Sequence, residues 1–250
     1  MKLHSHFGDS TAFKLHRAIL IYGADTGGGH TAIATLHNIE PNAAGIPEIQ
    51  PGACVSSEAV QDLALTLLEK SARLELLPPA LLALGLKGML WHCPPAINPI
   101  WFSPHTNKGE SNPGKEALRK LSGDRVPHPH LLFHAKLHGL EVYALRGDSK
   151  PTPASRLYQA PYWNISEEGS LCIGTARIPK SPSPSHIPAI EKGFFESNFT
   201  HSNCHDHRLV DYPGGHDALW PSLKGKRRFP DTALVPLKHG KKPLKLSDLL

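Results

Sequence analysis

No apolar run in the sequence approaches the ~18 residues that a membrane-spanning helix requires, and the first ten residues, MKLHSHFGDS, have no apolar core of the kind a secretory leader carries. There are four cysteines, Cys54, Cys93, Cys172 and Cys204, none in a CxxC pair. They are therefore expected as free thiols in a reducing cytoplasm rather than as a disulfide framework or a zinc ribbon. There is no G-x-S-x-G, which excludes the nucleophile elbow of α/β-hydrolases. Gly27-Gly28-Gly29 runs into His30-Thr31 rather than Gly-Lys-Ser/Thr, so a phosphate-binding loop is not expected there. No pair of carboxylates stands out as a glycosidase acid and base. Charged residues make up 20% of the chain and aromatics 7%. The net charge of +5 admits an acidic partner without demanding nucleic acid. The basic run Lys224-Gly225-Lys226-Arg227-Arg228 has no interleaved aromatics for base stacking, and it reads as a solvated, flexible tail.

What is plentiful is proline (24), glycine (21) and histidine (17). In 250 residues that are 40% hydrophobic, this indicates a globular core with many turns, and it argues against a helical bundle. Arg17–Tyr22 and Thr31–Ile39 read as a hairpin, and Pro41–Gly52 as a connector. Val60, Leu63, Ala64, Leu67 and Leu68 fall on one face of a helix over residues 57–70. Ala80–Leu84 reads as a second, short helix between Pro79 and Gly85. Gly88–His92 and Pro99–Phe102 read as strands. The stretch 103–125 reads as a polar insertion with a helical piece at Glu116–Leu121. Leu131, Phe133, Ala135 and Leu137 alternate with polar residues, turn at His138-Gly139 and return as Leu140–Leu145. A short extended run, Ser155–Gln159, follows. The four prolines of 179–188 precede a helix over Ala189–Phe199. Strands in a row with helices outside them give an α+β fold. The expected divisions are an N-terminal hairpin extension (1–52), a main domain (53–223) and a basic C-terminal tail (224–250).

The chemistry concentrates in Tyr162-Trp163-Asn164 and, eight residues after Asn164, Cys172. A thiol can act as a nucleophile, and a carboxamide can donate to the oxyanion formed when it attacks a carbonyl. The competing reading is a turn followed by a buried strand cysteine. Cys54 and Cys93 have no acid or base nearby in sequence and read as packing residues. His201, Cys204, His205 and His207 carry suitable zinc donors, but no second Cys/His pair stands at finger-like spacing, so no metal site is expected.

Asn164-Ile165, followed by Gly169-Ser170-Leu171-Cys172, resembles the active-site signature of ubiquitin-conjugating enzymes. In that family a His-Pro-Asn tripeptide precedes the catalytic cysteine by the same spacing; here Tyr162-Trp163 stands in place of His-Pro. Further segments are similar to the PRTRC system protein B family, a prokaryotic ubiquitin-conjugating-like group of family D type. They are Val126–Pro129, Lys150–Thr152 through Ala160–Tyr162, Gly169–Gly174, Phe194–His201, Pro213–Gly215 with Trp220, and Phe229-Pro230 with Leu234.

The resemblance implies a ubiquitin-conjugating fold, with an antiparallel four-strand meander flanked by helices. It implies an acyl carrier with a thioester on Cys172, Asn164 as oxyanion donor, and Tyr162 orienting Asn164 or the incoming amine. No cofactor is implied. The implied partners are a ThiF-like activating enzyme, a ubiquitin-like protein and a JAB-type peptidase, encoded in a bacterial cassette often carried on plasmids. Two other readings remain open: an inert adaptor on the same fold, and a DNA-associated plasmid-maintenance factor that uses the basic segment.

Overall fold

The computed structural model describes residues 15–26, 29–56, 59, 76–85, 88–104, 112–136, 139–174, 176–179, 183–204 and 209–250. The chain divides into two compact units, Met1–Glu75 and Leu76–Leu250.

The first unit holds a three-stranded antiparallel sheet in the order β1 (Arg17–Thr26), β2 (Gly29–Pro41), β3 (Pro47–Cys54). The hairpin lies where the sequence places it. The connector expected over Pro41–Gly52 is instead largely the third strand. Pro47 and Pro51 hide it in the composition, but β3 is an edge strand, where a missing N–H is tolerated. Asn42 makes the turn before it, its Oδ1 accepting the N–H groups of Ala44 and Ile46 at 3.0 Å each. Ser56 Oγ accepts the Ala59 N–H at 3.2 Å, as a helix cap does. The body of the helix expected over 57–70 lies outside the described residues.

The second unit is built on a five-stranded antiparallel sheet. Its order is β4 (Leu81–Gly85), β5 (Gly88–Cys93), β9 (His130–Lys136), β10 (Gly139–Leu145), β11 (Tyr158–Gln159). Between β5 and β9 the chain makes β6 (Ala96–Pro99), β7 (Trp101–Phe102), α1 (Pro113–Leu121) and β8 (Arg125–His128). The helix expected at Ala80–Leu84 is therefore strand β4, a correction. Five leucines and alanines carry no period that separates helix from strand, and pairing with β5, from Leu81 opposite Trp91 to Gly85 opposite Gly88, decides it. The polar stretch 103–125 is more than an insertion. Asn112 caps α1 by accepting the Lys115 N–H at 3.1 Å, and Leu118 and Leu121 enter the core.

Period-2 alternation sends residues of β5, β9 and β10 to opposite faces. Trp91, Phe133 and Val142 lie side by side on one face, as do Met89, Ala135 and Leu140. Helices α2 (Ile187–Phe195) and α3 (Gly215–Ser222) pack there through Ile190, Phe194, Leu219 and Trp220. α2 ends at Phe195, before the expected Phe199, because Asn198–Phe199 forms a short parallel strand, β12, against β7.

The other face carries Leu90, Leu132, Tyr143 and Leu145, and the C-terminal segment covers it with Leu237, Leu244, Leu246 and Leu249. That segment is not the flexible tail read from its charge. Leu246 N–H donates to Ser155 O and Leu237 N–H to Leu157 O, and Phe229, Leu234 and Leu246 are buried. Its lysines stay in solvent while every few residues an apolar side chain turns inward.

No helix among the described residues is long and apolar enough to cross a membrane. Leu246 is 3% exposed, so Leu246→Ala is expected to cost about 2–4 kcal/mol in urea unfolding, whereas exposed Lys242→Ala should stay within about 0.5 kcal/mol.

Candidate active site

The stretch singled out in the sequence extends the sheet beyond β10. Val142 N–H donates to Gly169 O and Leu171 N–H to Leu140 O, both at 2.8 Å. These bonds lay the arm 169–171 along the β10 edge that also carries β11. The arm turns back on itself as a small hairpin. Ile165 bridges Leu171, Ser166 N–H donates to Ser170 O at 2.9 Å, and Cys172 N–H donates to Asn164 O at 2.7 Å. A third arm, 198–203, pairs with the hairpin's outer side. Asn164 N–H donates to His201 O at 2.9 Å, and Ser166 bridges Asn203.

Gly169 makes the bend, with φ +87°, against the Tyr143 ring; a Cβ there would stand 2.5 Å from Tyr143 Cε1. The Tyr143 hydroxyl lies 3.0 Å from both Glu141 Oε2 and Glu168 O, tying the bend to β10. Glu141 also pairs with His134 and Lys136. Burial alone would raise the Glu141 pKa, but these three hydrogen-bond partners outweigh it and hold the carboxyl at about 2.

Asn164 is the only non-glycine residue with positive φ (62°) among the described residues, a conformation asparagine tolerates better than most. Its side chain, 8% exposed, acts as a clamp. Oδ1 accepts from Thr200 N–H and Thr200 Oγ1–H, both at 3.0 Å, and from His201 N–H at 3.4 Å, while Nδ2 donates to Asn198 O at 2.9 Å. The second Nδ2 hydrogen has no acceptor among the described residues. Across this clamp Cys172 is exposed and free, followed by Ile173 at 40% exposure.

Tyr162 is fully buried, so it cannot meet an incoming amine directly, which corrects one of the two roles expected for it. Its hydroxyl lies 2.8 Å from His128 Nδ1, and His128 Nε2 lies 3.1 Å from Asn98 O. The carbonyl can only accept, so Nε2 carries the hydrogen, and neutral His128 then accepts the Tyr162 O–H at Nδ1. Burial pushes the His128 pKa down to about 4, against a smaller upward push from its bond to Asn98. Trp163 stacks on His216, with ring centroids 4.9 Å apart, and meets Phe102 edge-on. The Tyr-Trp pair thus anchors the entrance of the hairpin in the aromatic core.

A model of prokaryotic E2 family D matches residues 57–237. The chain belongs to prokaryotic E2 family D. The match covers both arms of the hairpin and the 198–203 segment that clamps Asn164, and it makes the protein a component of a ubiquitin-conjugation-like system. No curated protein and no solved structure matches the chain.

Within this family D protein the four thiols differ in environment. Cys54 is exposed, on β3 of the other unit, rather than packed as its sequence context suggests. Cys93 is packed against the core, and its thiol is pushed up to about 12 by burial first and by Glu191 second. Glu191 in turn accepts from Trp91 Nε1 at 3.0 Å. Cys204 is half-buried against the core. His205 and His207 lie outside the described residues, and no cluster of three metal-ligating side chains occurs among the described ones. His201 Nδ1 lies 2.9 Å from Thr200 Oγ1. A cavity of about 590 Å³ lies between Pro94–Ile97 and Arg227–Phe229, and Cys172 is not among its lining residues.

Sequence reasoning missed Thr200 and Asn198 as the holders of Asn164, since nothing local in Asn198-Phe199-Thr200 signals a partner 34 residues upstream. Gly169→Ala should cost about 1–3 kcal/mol through strain and the Tyr143 collision, read as loss of amide-exchange protection at Val142 and Leu171 ahead of the core strands. Folded His128 refuses a proton that the unfolded chain accepts below its ordinary 6.5. Its contribution is therefore complete above pH 6.5 and declines as the pH falls to about 4. Melting temperatures across that window should fall less steeply in His128→Gln than in the parent.

Proposed function

We propose that Cys172 carries the carboxyl terminus of a ubiquitin-like protein as a thioester on a ubiquitin-conjugating-like fold. The carrying observation is the exposed Cys172 thiol, hydrogen-bonded through its backbone to a clamped Asn164 in a chain that belongs to prokaryotic E2 family D. In the first step the Cys172 thiolate attacks the thioester that joins the modifier to a ThiF-like activating enzyme. The new C–S bond forms, and the activating enzyme's cysteine leaves as thiolate. In the second step an amine attacks the same carbonyl, a C–N bond forms, Cys172 leaves, and the amine's proton passes to solvent.

Each step raises negative charge on the carbonyl oxygen, and the second N–H of Asn164 is the group proposed to meet it. Tyr162 and Trp163 serve this chemistry from the core, as positioning residues for the hairpin. The exposure of Cys172 suits a substrate that is itself a folded protein bringing its own tail. The finer setting, a PRTRC-type cassette with a JAB-type peptidase, rests on the sequence resemblance.

The test incubates the protein with a ThiF-like activating enzyme, its ubiquitin-like partner and ATP, and resolves products on non-reducing gels. A thiol-sensitive adduct is expected for the parent, a thiol-resistant oxyester for Cys172→Ser and none for Cys172→Ala. Asn164→Asp keeps the acceptor that Thr200 and His201 use but loses the N–H donors, so discharge to an amine should slow by about 10²–10³. An adduct that persists in Cys172→Ala overturns the reading. Absence of any adduct with the parent replaces it with the inert adaptor, which the Tyr-Trp pair in place of His-Pro favours.

A further inference from the structure

At the end of β10 away from the hairpin, Arg146, Ser149, Ser155, Arg156 and Tyr158 line a pocket of about 240 Å³ with no carboxylate in its wall. Arg146 is held in place. Its guanidinium carbon sits 4.6 Å from the centroid of the Tyr158 ring, and Nη2 donates to Leu234 O at 3.2 Å. The rest of its N–H fork has no acceptor among the described residues. Ser155 Oγ accepts the Thr152 N–H at 2.9 Å, which leaves its hydroxyl hydrogen for another acceptor.

Arg156 stands directly opposite Lys245 in an antiparallel bridge. Like charges so placed repel, and no carboxylate among the described residues pairs with either side chain. Two exposed cations thus face each other across the bridge beside the pre-oriented Arg146 guanidinium, with the Asp248 carboxylate held on the Lys245 backbone N–H at 2.8 Å.

We propose that this pocket is a binding site for a phosphate dianion, either free or carried as a monoester. Two arginines supply +2, which matches the dianion present at neutral pH. Their planar forks pair with phosphate oxygens, and the serine hydroxyl supplies a further donor. A carboxylate would leave one arginine unbalanced. The site lies four residues along β10 from Val142, roughly 13 Å at the strand rise, and it does not depend on the thioester reading.

Calorimetric titration with inorganic phosphate at about pH 7.5, with ionic strength matched by sodium chloride, tests the proposal. O-phosphoserine serves as the second ligand. Saturable phosphate binding is expected for the parent, weakened about 10-fold or more in Arg156→Gln and unchanged in Lys241→Gln, which lies outside the pocket. Tighter binding of phosphoserine than of phosphate supports the site and identifies a phosphorylated side chain as its source; equal binding supports it and identifies the free anion. Without ligand, Arg156→Gln should melt higher than the parent because the repulsion with Lys245 is gone. Arg146→Lys, which keeps the charge but loses the fork, should also bind weakly. No binding to the parent, or equal weakening in Arg156→Gln and Lys241→Gln, overturns the proposal.

Discussion

The Asn164 carboxamide ties its own hairpin to the segment 198–201, more than 30 residues away. It sits in a left-handed backbone conformation, and its side chain takes hydrogens from Thr200 and His201 while giving one to Asn198. Its own backbone carbonyl receives the Cys172 N–H. Each of these bonds is worth only about 1 kcal/mol net, but leaving such groups buried and unmade costs more. One residue therefore fixes where the thiol stands relative to the 198–203 arm. In the proposed thioester exchange, that constancy would set the exposed thiol against its acyl partner.

The clamp works only because both ends are anchored in something rigid. On the inner side Tyr162 and Trp163 enter an aromatic cluster with His128, Phe102, His216 and Trp220. On the outer side the Gly169 bend lies on the Tyr143 ring, whose hydroxyl reaches Glu141 and Glu168. Burial elsewhere selects among the thiols: Cys93, packed beside the Glu191 carboxylate, is kept protonated, whereas Cys172 stands in solvent. The pocket at the other end of β10 shows the opposite economy of charge, with Arg156 and Lys245 set against each other. Natural chains break local rules of this kind most often at functional or strained sites.

Much of the architecture was legible because alternation has a physical cause. Leu131, Phe133 and Ala135 must share a face of a strand, and that face must be covered; β9 and β10 follow from it, while the N-terminal hairpin is legible from strand composition around a glycine-rich turn. Where period gives no signal, the reading failed. Ala80–Leu84 is too short and too uniformly apolar to declare itself, and β3 is masked by prolines that only an edge strand tolerates. The C-terminal segment was misjudged because lysine counts dominate its composition, while four leucines spaced along it do the packing.

The sequence by itself determined the chemistry available at the site. It placed an amide eight residues before a cysteine, with a glycine between them where the chain can bend. Tertiary structure decided how those groups are used. It spent the Asn164 oxygen on Thr200 and His201, buried Tyr162 against His128, and left Cys172 as the exposed thiol beside the clamp. None of these partners is local, because a hydrogen bond or a buried ring is satisfied by whatever the fold brings within a few ångströms, and sequence separation does not enter.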